Sequence, residues 1–319
     1  MVRNLTADVL KVVGREGSFG AATVPELMAV DAETLRERPI TPRFHDDCTG
    51  EVRLQTGKVV SGLLADIRNI PQLTYSRYFV GEGVNVRPIH KPVYMEKRGK
   101  MSAAAIQVLL GNEEYVEVVH DYLWSTCEET TWVPPQHTRG PIDLFASGTG
   151  FDMAEIIVAL KEQLDERVVT RVREALDERI LTPYLEQIGR LHWFKGSSNW
   201  NGVCNGGVGA VALLVESSAD RRRAILEQVM EGLDAFLTTA FHEDGSSGEG
   251  VGYWHYGLSN VVCLFEMIRD LSGGDLDLLA SDRMRQIAAF PAVVMLSPGR
   301  YFSYSDSHER GTAYPGLLQ

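Results

Sequence analysis

The sequence lacks the spaced cysteines and the glycine-rich signatures that mark several large classes of protein. Its four cysteines, Cys48, Cys127, Cys204 and Cys263, lie far apart. No pair has the CxxC spacing of a zinc ribbon or a thioredoxin-like site, so we expect free, buried thiols. A dinucleotide-binding GxGxxG, a P-loop, an HExxH and a GxSxG are also missing. Neither a metal nor a cofactor is predicted.

Long apolar runs and an excess of positive charge are missing too. No uncharged stretch approaches the roughly 18 apolar residues of a membrane helix, so no membrane association is predicted. The first residues have no apolar segment of the kind found in signal peptides, which favours a cytoplasmic location. The formal net charge is -12, which argues against binding to nucleic acid. An acidic substrate is still compatible, because a local basic patch can lie on an acidic protein.

Helical periodicity dominates the chain from about residue 100 onward. Successive apolar stripes are of similar length and are separated by short polar joints. Asp143 is suited to cap one helix. Asp165 and Glu166 put acidic groups at the start of the next, and Pro183 stands near the start of another. These paired runs predict an all-α fold in which helical hairpins form an incomplete toroid. The predicted helices span 101–110, 114–127, 143–164, 165–180, 182 onward, 202–215, 219–240, 254–271 and 276–290.

The two ends of the chain have weaker patterns. Residues 6–13, 24–36 and 57–67 are expected to be helical, and 84–94 to form an extended loop. No linker is evident, so we predict one domain over 1–319, with an irregular part over 1–100 and the toroid over 101–319. Residues 301–304 have a strand-like or loop-like pattern, and residues 305–311 form a polar loop. The last five residues have the pattern of a further element that is cut off.

The segment 197–207, SSNWNGVCNGG, combines amides, an aromatic ring and glycines before a helical run. The first N–H groups of a helix lack partners, so such a start can bind an anion or sugar hydroxyls. Asn199, Trp200, Asn201 and Asn205 are therefore candidate binding residues. The alternative is an asparagine cap followed by a core tryptophan.

A second segment, 244–256, reads DGSSGEGVGYWHY and has the same mixture of glycines and polar aromatics. Flexible backbone of this kind is typical of a shaped loop beside a cleft. Tyr253 and Tyr256 are three residues apart and would share a helix face. Glu249, Tyr253, His255 and Tyr256 are candidate residues, and the alternative is an aromatic helix start packed in a core.

Two further loops contribute candidates. Asp306 and His308 are two residues apart, so the carboxylate can orient the imidazole, or both belong to a solvated loop. In the loop after residue 128, Trp132 can stack on a sugar, while His137 and Arg139 can bind a uronate, Arg139 by a bidentate contact. Packing within the loop is the alternative for Trp132, His137 and Arg139.

The combined pattern resembles the heparinase II/III-like polysaccharide lyases over roughly 103–310. The resemblance rests on SSNWNGVCNGG at 197, EDGSSGEGVGYWHYGLSN at 243 and SDSHERG at 305, and more weakly on TWVPPQHTRGPIDLFASGTG at 131. It implies a toroid of α/α hairpins followed by antiparallel β-sheet domains, and the latter would be absent from this chain.

The resemblance also implies cleavage of an acidic polysaccharide by β-elimination. Tyr256 matches the proton-transferring tyrosine, Asn199 the amide that neutralises the uronate carboxylate, and His308 a histidine that lines the cleft. Many members have a histidine as the base where this chain has Trp200. Either Tyr256 acts as both base and acid, or His255 or His308 supplies the imidazole, or the activity differs.

Two other functions stay open at this point. A glycoside hydrolase on an α/α barrel would need two carboxyl groups, and Glu249 with Asp306 or Asp244 is the available pair. A carbohydrate-binding protein without catalysis would keep the same aromatic and amide groups. In each case the expected partner is a polysaccharide or oligosaccharide, acidic in the case of the lyase.

Overall fold

The structure, a computed structural model, describes residues 63–79, 84–109, 111–137 and 140–310. The predicted helices at 6–13 and 24–36, most of the one at 57–67, Cys48 and Arg139 lie outside these residues. The described part is mostly helical, with one two-stranded sheet, so the all-α prediction is confirmed. None of its helices combines the length and apolar character needed to cross a membrane.

The described residues belong to two compact units that divide between Pro183 and Tyr184. The elements of the first are α1 (Tyr75–Tyr78), α2 (Arg87–Leu109), a 3-10 turn (Glu113–Tyr115), α3 (Val116–Cys127), α4 (Leu144–Ala159), α5 (Glu166–Leu176) and a π-helical turn (Asp177–Leu181). Helix α6 (Thr182–Gln187) spans the division. The second unit continues with a 3-10 turn (Ile188–Arg190), α7 (Asn199–Val215), α8 (Ala219–Thr239), α9 (Gly250–Leu271), α10 (Asp282–Val293), β1 (Met295–Ser297) and β2 (Arg300–Tyr301).

In the first unit, α2 packs against α3 and α4, and α5 packs against the same two helices. The predicted cap at Asp143 is confirmed, and Asp165, predicted as an acid at a helix start, also acts as a cap. Asp143 accepts a hydrogen bond from the Ala146 N–H at 2.8 Å, and Asp165 accepts one from the Arg167 N–H at 2.9 Å. The carboxylates satisfy donors that have no partner inside the helix, which fixes where α4 and α5 begin.

The prediction of an extended loop over 84–94 is wrong, because α2 begins at Arg87. The Asn85 side chain accepts the Arg87 N–H at 3.0 Å and so caps the helix. Pro88 then lies in the first turn, where its missing N–H costs nothing. Pro92 does interrupt the helical hydrogen bonds, but burial of His90 and Tyr94 on one face offsets that loss.

Other helix boundaries differ from the predicted ones by a few residues. Helix α4 ends at Ala159 and not near residue 164, and α10 begins at Asp282 and not near residue 276. Ser281 caps α10 by accepting the Met284 N–H at 3.2 Å. Cys127 and Cys204 are buried and take part in no disulfide, as predicted, and Cys263 is also outside any disulfide but only partly buried.

Helix α7 is the core of the second unit and packs against both α8 and α9. Its glycines allow the backbones of α7 and α9 to approach closely. A Cβ on Gly202 would overlap the Gly257 carbonyl oxygen and the Phe236 ring, and a Cβ on Gly206 would come 2.7 Å from the Asn260 carbonyl carbon. This close packing fixes the start of α7 beside the first two turns of α9.

Candidate functional site

The starts of α7 and α9 are joined by a carboxylate. Glu249 immediately precedes α9, and its Oε2 accepts the backbone N–H of Asn199 at 2.9 Å. Negative charge at a helix N-terminus is stabilised by the unpaired N–H groups and by the helix dipole. Glu249 therefore both orients the first residue of α7 and has its own charge partly compensated.

The Asn199 side chain is buried but not satisfied. Its residue is 3% exposed, and Nδ2 has no hydrogen-bond partner among the described residues. A Cβ on Gly257 would lie 3.2 Å from both Cα and Cβ of Asn199, so Asn199 packs closely against α9 at Gly257. A buried amide without a partner is unfavourable, and native structures contain few of them. The two N–H groups of Nδ2 are thus open to an acceptor outside the described residues.

The aromatic residues of α9 divide between its two faces. Trp254 is buried and donates from Nε1 to the Ile287 carbonyl at 2.9 Å, which anchors the helix on α10. Tyr256 is 40% exposed, and Tyr253 is partly exposed. His255 is partly buried, and this burial lowers its pKa, so the imidazole is neutral near pH 7. Both tyrosines are thus at least partly accessible to solvent.

The loop that carries His308 is attached to the start of α9. Ser307 is buried, and its Oγ accepts the Gly252 N–H at 3.0 Å. Gly250 has φ +82°, and a Cβ there would lie 2.5 Å from the Ser307 Cβ, so only glycine fits beneath the loop. Tyr304 donates to the Ser247 carbonyl at 2.5 Å. His308 itself is exposed.

Three segments far apart in sequence therefore meet at the start of α9. Asn199 contacts Glu249 and Gly257, and Ser307 contacts Gly250 and Gly252. The predicted catalytic residues Asn199, Tyr256 and His308 all belong to these segments. Trp200 lies next to them in the first turn of α7, partly exposed, with its ring 5.2 Å from that of His192.

Asn201 and Asn205 are not placed to bind substrate, because the protein interior already uses their amides. The Asn201 Nδ2 donates to the Gly196 carbonyl at 2.9 Å. The Asn205 Nδ2 donates to the Asn201 Oδ1 at 2.7 Å and to the Phe194 carbonyl at 3.1 Å, and its Oδ1 accepts the Tyr184 hydroxyl at 2.7 Å. This network holds the loop before α7 in place, and we therefore no longer consider Asn201 and Asn205 as substrate-binding residues.

Trp132 and His137 belong to the first compact unit. Trp132 is 2% exposed and donates from Nε1 to the Thr126 carbonyl at 2.9 Å, so its ring cannot stack on a sugar as we had predicted. His137 is partly exposed, and its Nδ1 lies 2.6 Å from the Asp143 Oδ2. Asp143 thus orients the imidazole while capping α4, and a role for His137 in binding stays a prediction.

The residues that assemble these regions have no signal in the sequence. Ser307 and Tyr304 attach the His308 loop to α9, and no local pattern distinguishes them from other loop residues. The same is true of a buried charged cluster in the first unit, in which Arg98 makes a bidentate ion pair with Glu129. Paired charges inside a helix that alternates polar and apolar residues look like a solvated face until tertiary contacts are known.

The described residues contain no group of three or more histidine, cysteine, aspartate or glutamate side chains placed to hold a metal ion. Comparison of the chain with protein-family models and with curated proteins returns no match. The function must therefore be argued from the arrangement at the start of α9.

Proposed function

We propose that this protein is a polysaccharide lyase that cleaves a uronate-containing polysaccharide or oligosaccharide by β-elimination. The observation that carries the proposal is the Asn199 side chain, which is 97% buried with an unused amide donor at the N-terminus of α7. An amide donor in this setting suits a carboxylate, because it supplies hydrogen bonds in a region where the helix dipole already favours negative charge.

The chemistry divides between groups that meet at the start of α9. The Asn199 amide binds the uronate carboxylate and withdraws negative charge from it, which makes the proton on C5 of the sugar more acidic. A base removes that proton, the electron pair forms the C4–C5 double bond, and the bond from C4 to the leaving oxygen breaks. Tyr256, accessible on α9, donates the proton that the leaving oxygen takes up.

The base has three candidates in these segments: the phenolate of Tyr256, His255 and His308. His255 is neutral near pH 7, as a base must be, because burial lowers its pKa. His308 is exposed on a loop that Ser307 holds against α9. Tyr256 would have to be deprotonated first, and its reference pKa of about 10 makes this the most demanding route.

A glycoside hydrolase is less well supported by the same arrangement. Hydrolysis needs two carboxyl groups on either side of the scissile bond. Glu249 already accepts the Asn199 N–H at 2.9 Å, and Asp306 and Asp244 are exposed on loops. Elimination requires only one neutralising donor and proton-transfer groups, and Asn199, Tyr256 and the two histidines are our candidates for these roles.

The proposal is tested by ultraviolet absorbance during incubation with alginate, heparan-type, chondroitin-type and pectic polymers. Elimination creates a double bond conjugated to the carboxylate, so absorbance should rise on at least one polymer. Tyr256→Phe should reduce that rate by at least about 10²-fold, since a positioned proton-transfer group contributes about 10²–10⁴-fold.

Tyr75→Phe is the control, because it removes a hydroxyl from a tyrosine that is 77% exposed and lies outside the candidate segments. It should leave the rate within a few-fold of the wild type. Binding of a polymer without any rise in absorbance would favour a carbohydrate-binding protein. A Tyr256→Phe variant of wild-type rate would remove Tyr256 from the mechanism.

A further inference from the structure

His192 lies on the loop before α7 and its ring contacts the ring of Trp200. The two ring centres are 5.2 Å apart, and the ring planes are inclined by 54°. His192 is exposed and Trp200 is partly exposed, so the pair lies at the surface of the second unit. Trp200 directly follows Asn199 in the first turn of α7. The pair is therefore next in the chain to the residue that carries the proposed function.

The neighbours of His192 in the chain are both buried. Leu191 is 4% exposed and Trp193 is 1% exposed, and the Trp193 ring stacks on the ring of Tyr184 with 6.4 Å between the ring centres. Burial of these apolar side chains on either side of His192 favours a single position of the loop. The imidazole is thus presented to solvent from an anchored segment.

The asparagine network holds the same loop on α7. The Asn201 Nδ2 donates to the Gly196 carbonyl at 2.9 Å, and the Asn205 Nδ2 donates to the Phe194 carbonyl at 3.1 Å. The loop that carries the imidazole is therefore fixed to the helix that carries the indole. A binding surface needs side chains whose positions are set by their surroundings, and these hydrogen bonds provide that support.

An indole beside an imidazole has the chemistry that recognises a sugar unit. The indole offers a flat apolar face, and each imidazole nitrogen can donate or accept a hydrogen bond according to its protonation. A pyranose has C–H groups on its face and hydroxyl groups at its rim, so it can stack on Trp200 while its rim contacts His192. A nucleic acid base could also stack here, but the net charge of -12 opposes the binding of a polyphosphate.

We infer that His192 and Trp200 form a subsite for one sugar unit of the substrate, adjoining the sugar whose carboxylate the Asn199 amide binds. The inference rests on the proposed function. It assigns His192 to substrate binding and the amides of Asn201 and Asn205 to positioning of its loop. The subsite contacts no bond that changes during elimination, so it stabilises the bound substrate and the transition state equally.

The test is the binding of alginate, heparan-type, chondroitin-type and pectic polymers to the full chain carrying Tyr256→Phe, which slows cleavage. Calorimetric titration gives the Kd of each polymer that binds. His192→Ala and Trp200→Ala should each raise that Kd about tenfold, a loss typical of one stacked ring or one polar contact. His242→Ala removes another exposed histidine of the second unit and should leave the Kd unchanged.

Kinetics and a double variant separate a subsite from a general disturbance of the fold. On a polymer that the wild type cleaves, His192→Ala should raise KM about tenfold and leave kcat within about twofold. The variant that lacks both rings should bind about as weakly as either single variant, because both contacts serve one sugar. A rise of about 100-fold in the double variant would mean two independent contacts and would overturn the single subsite. His192→Ala alone decides the outcome if Trp200→Ala does not fold.

The failure of this inference is distinguishable from the failure of the proposed function. A polymer that binds His192→Ala with the unchanged Kd would overturn the subsite and leave the lyase proposal standing. Binding that both ring variants weaken, without any rise in absorbance for the wild type, would support the subsite and overturn the lyase proposal. No binding of any of the four polymers would overturn both.

Discussion

Two buried asparagines in the first turns of α7 should respond in opposite ways to truncation. Asn199 is buried and its amide nitrogen has no partner among the described residues, whereas Asn201 is buried with both its amide nitrogen and its amide oxygen hydrogen-bonded. We predict that Asn199→Ala largely removes activity and leaves stability nearly unchanged. Asn201→Ala should do the reverse. The pair is matched in residue type, helix and burial, so differences between the variants report the difference in bonding.

The magnitudes follow from the hydrogen bonds. Asn199→Ala removes a buried donor whose lack of a partner costs about 1–3 kcal/mol, and this gain offsets the loss of packing against Gly257. The net change in the free energy of unfolding should stay within about 1 kcal/mol. Asn201→Ala leaves the Gly196 carbonyl without this partner and removes one of the two hydrogen bonds that the Asn205 Nδ2 donates, which should cost about 2–3 kcal/mol.

The assays are urea unfolding followed by far-ultraviolet circular dichroism, and lyase turnover on whichever uronate polymer is cleaved. Loss of one preorganised donor typically costs about 10²–10³-fold in turnover, and we expect this for Asn199→Ala. Folded Asn201→Ala should turn over at close to the wild-type rate. Equal destabilisation of the two variants would refute the reasoning, because it would mean that Asn199 has a structural hydrogen bond like that of Asn201.

Two further substitutions test the packing and the electrostatics of the units. Gly202→Ala should destabilise the protein by about 3 kcal/mol or more, because the added methyl overlaps the Gly257 carbonyl oxygen and Phe236. A urea-unfolding midpoint equal to that of the wild type would contradict the close approach of α7 and α9. Burial raises the pKa of Asp152 to about 6, above its unfolded value of 3.8, so the folded state binds the proton more tightly and loses stability as pH rises from about 4 to about 6. Asp152→Asn should therefore stabilise the protein by about 1–2 kcal/mol at neutral pH and flatten that dependence, and an unchanged pH profile of unfolding would count against it.

Local chemistry made the helices predictable. Asp143 and Asp165 indicate where their helices begin, because a carboxylate can accept the first N–H groups of a helix without any tertiary contact. The stretch 84–94 was misread because its alternation of Val, Arg, Ile and Pro hides a face formed by His90 and Tyr94. Those side chains are buried only by neighbouring helices, and burial by distant elements is not encoded in local spacing.

The candidate site was predictable in its segments but not in the role of each side chain. Asn199, Asn201 and Asn205 look equivalent in the sequence. Of the three, only Asn199 has an amide nitrogen without a hydrogen-bond partner among the described residues. The difference arises from carbonyls of the preceding loop and from Tyr184, which satisfy the other two amides. Trp132 was predicted to stack on a sugar because the sequence does not show whether an aromatic ring in a loop is exposed or, as here, buried.

We propose that bond cleavage proceeds by elimination. The most direct test is whether the products contain oxygen from the solvent water. Polymer is incubated with the protein in water enriched in heavy oxygen, and the products are analysed by mass spectrometry. Elimination adds no water, so the account predicts an unsaturated non-reducing end that is lighter by one water than the hydrolysis product. Cleavage at the glycosidic bond should incorporate no label beyond the slow exchange of the reducing end, which a parallel incubation of finished product measures. Saturated products carrying heavy oxygen above that exchange would contradict the account and assign the protein to the hydrolases.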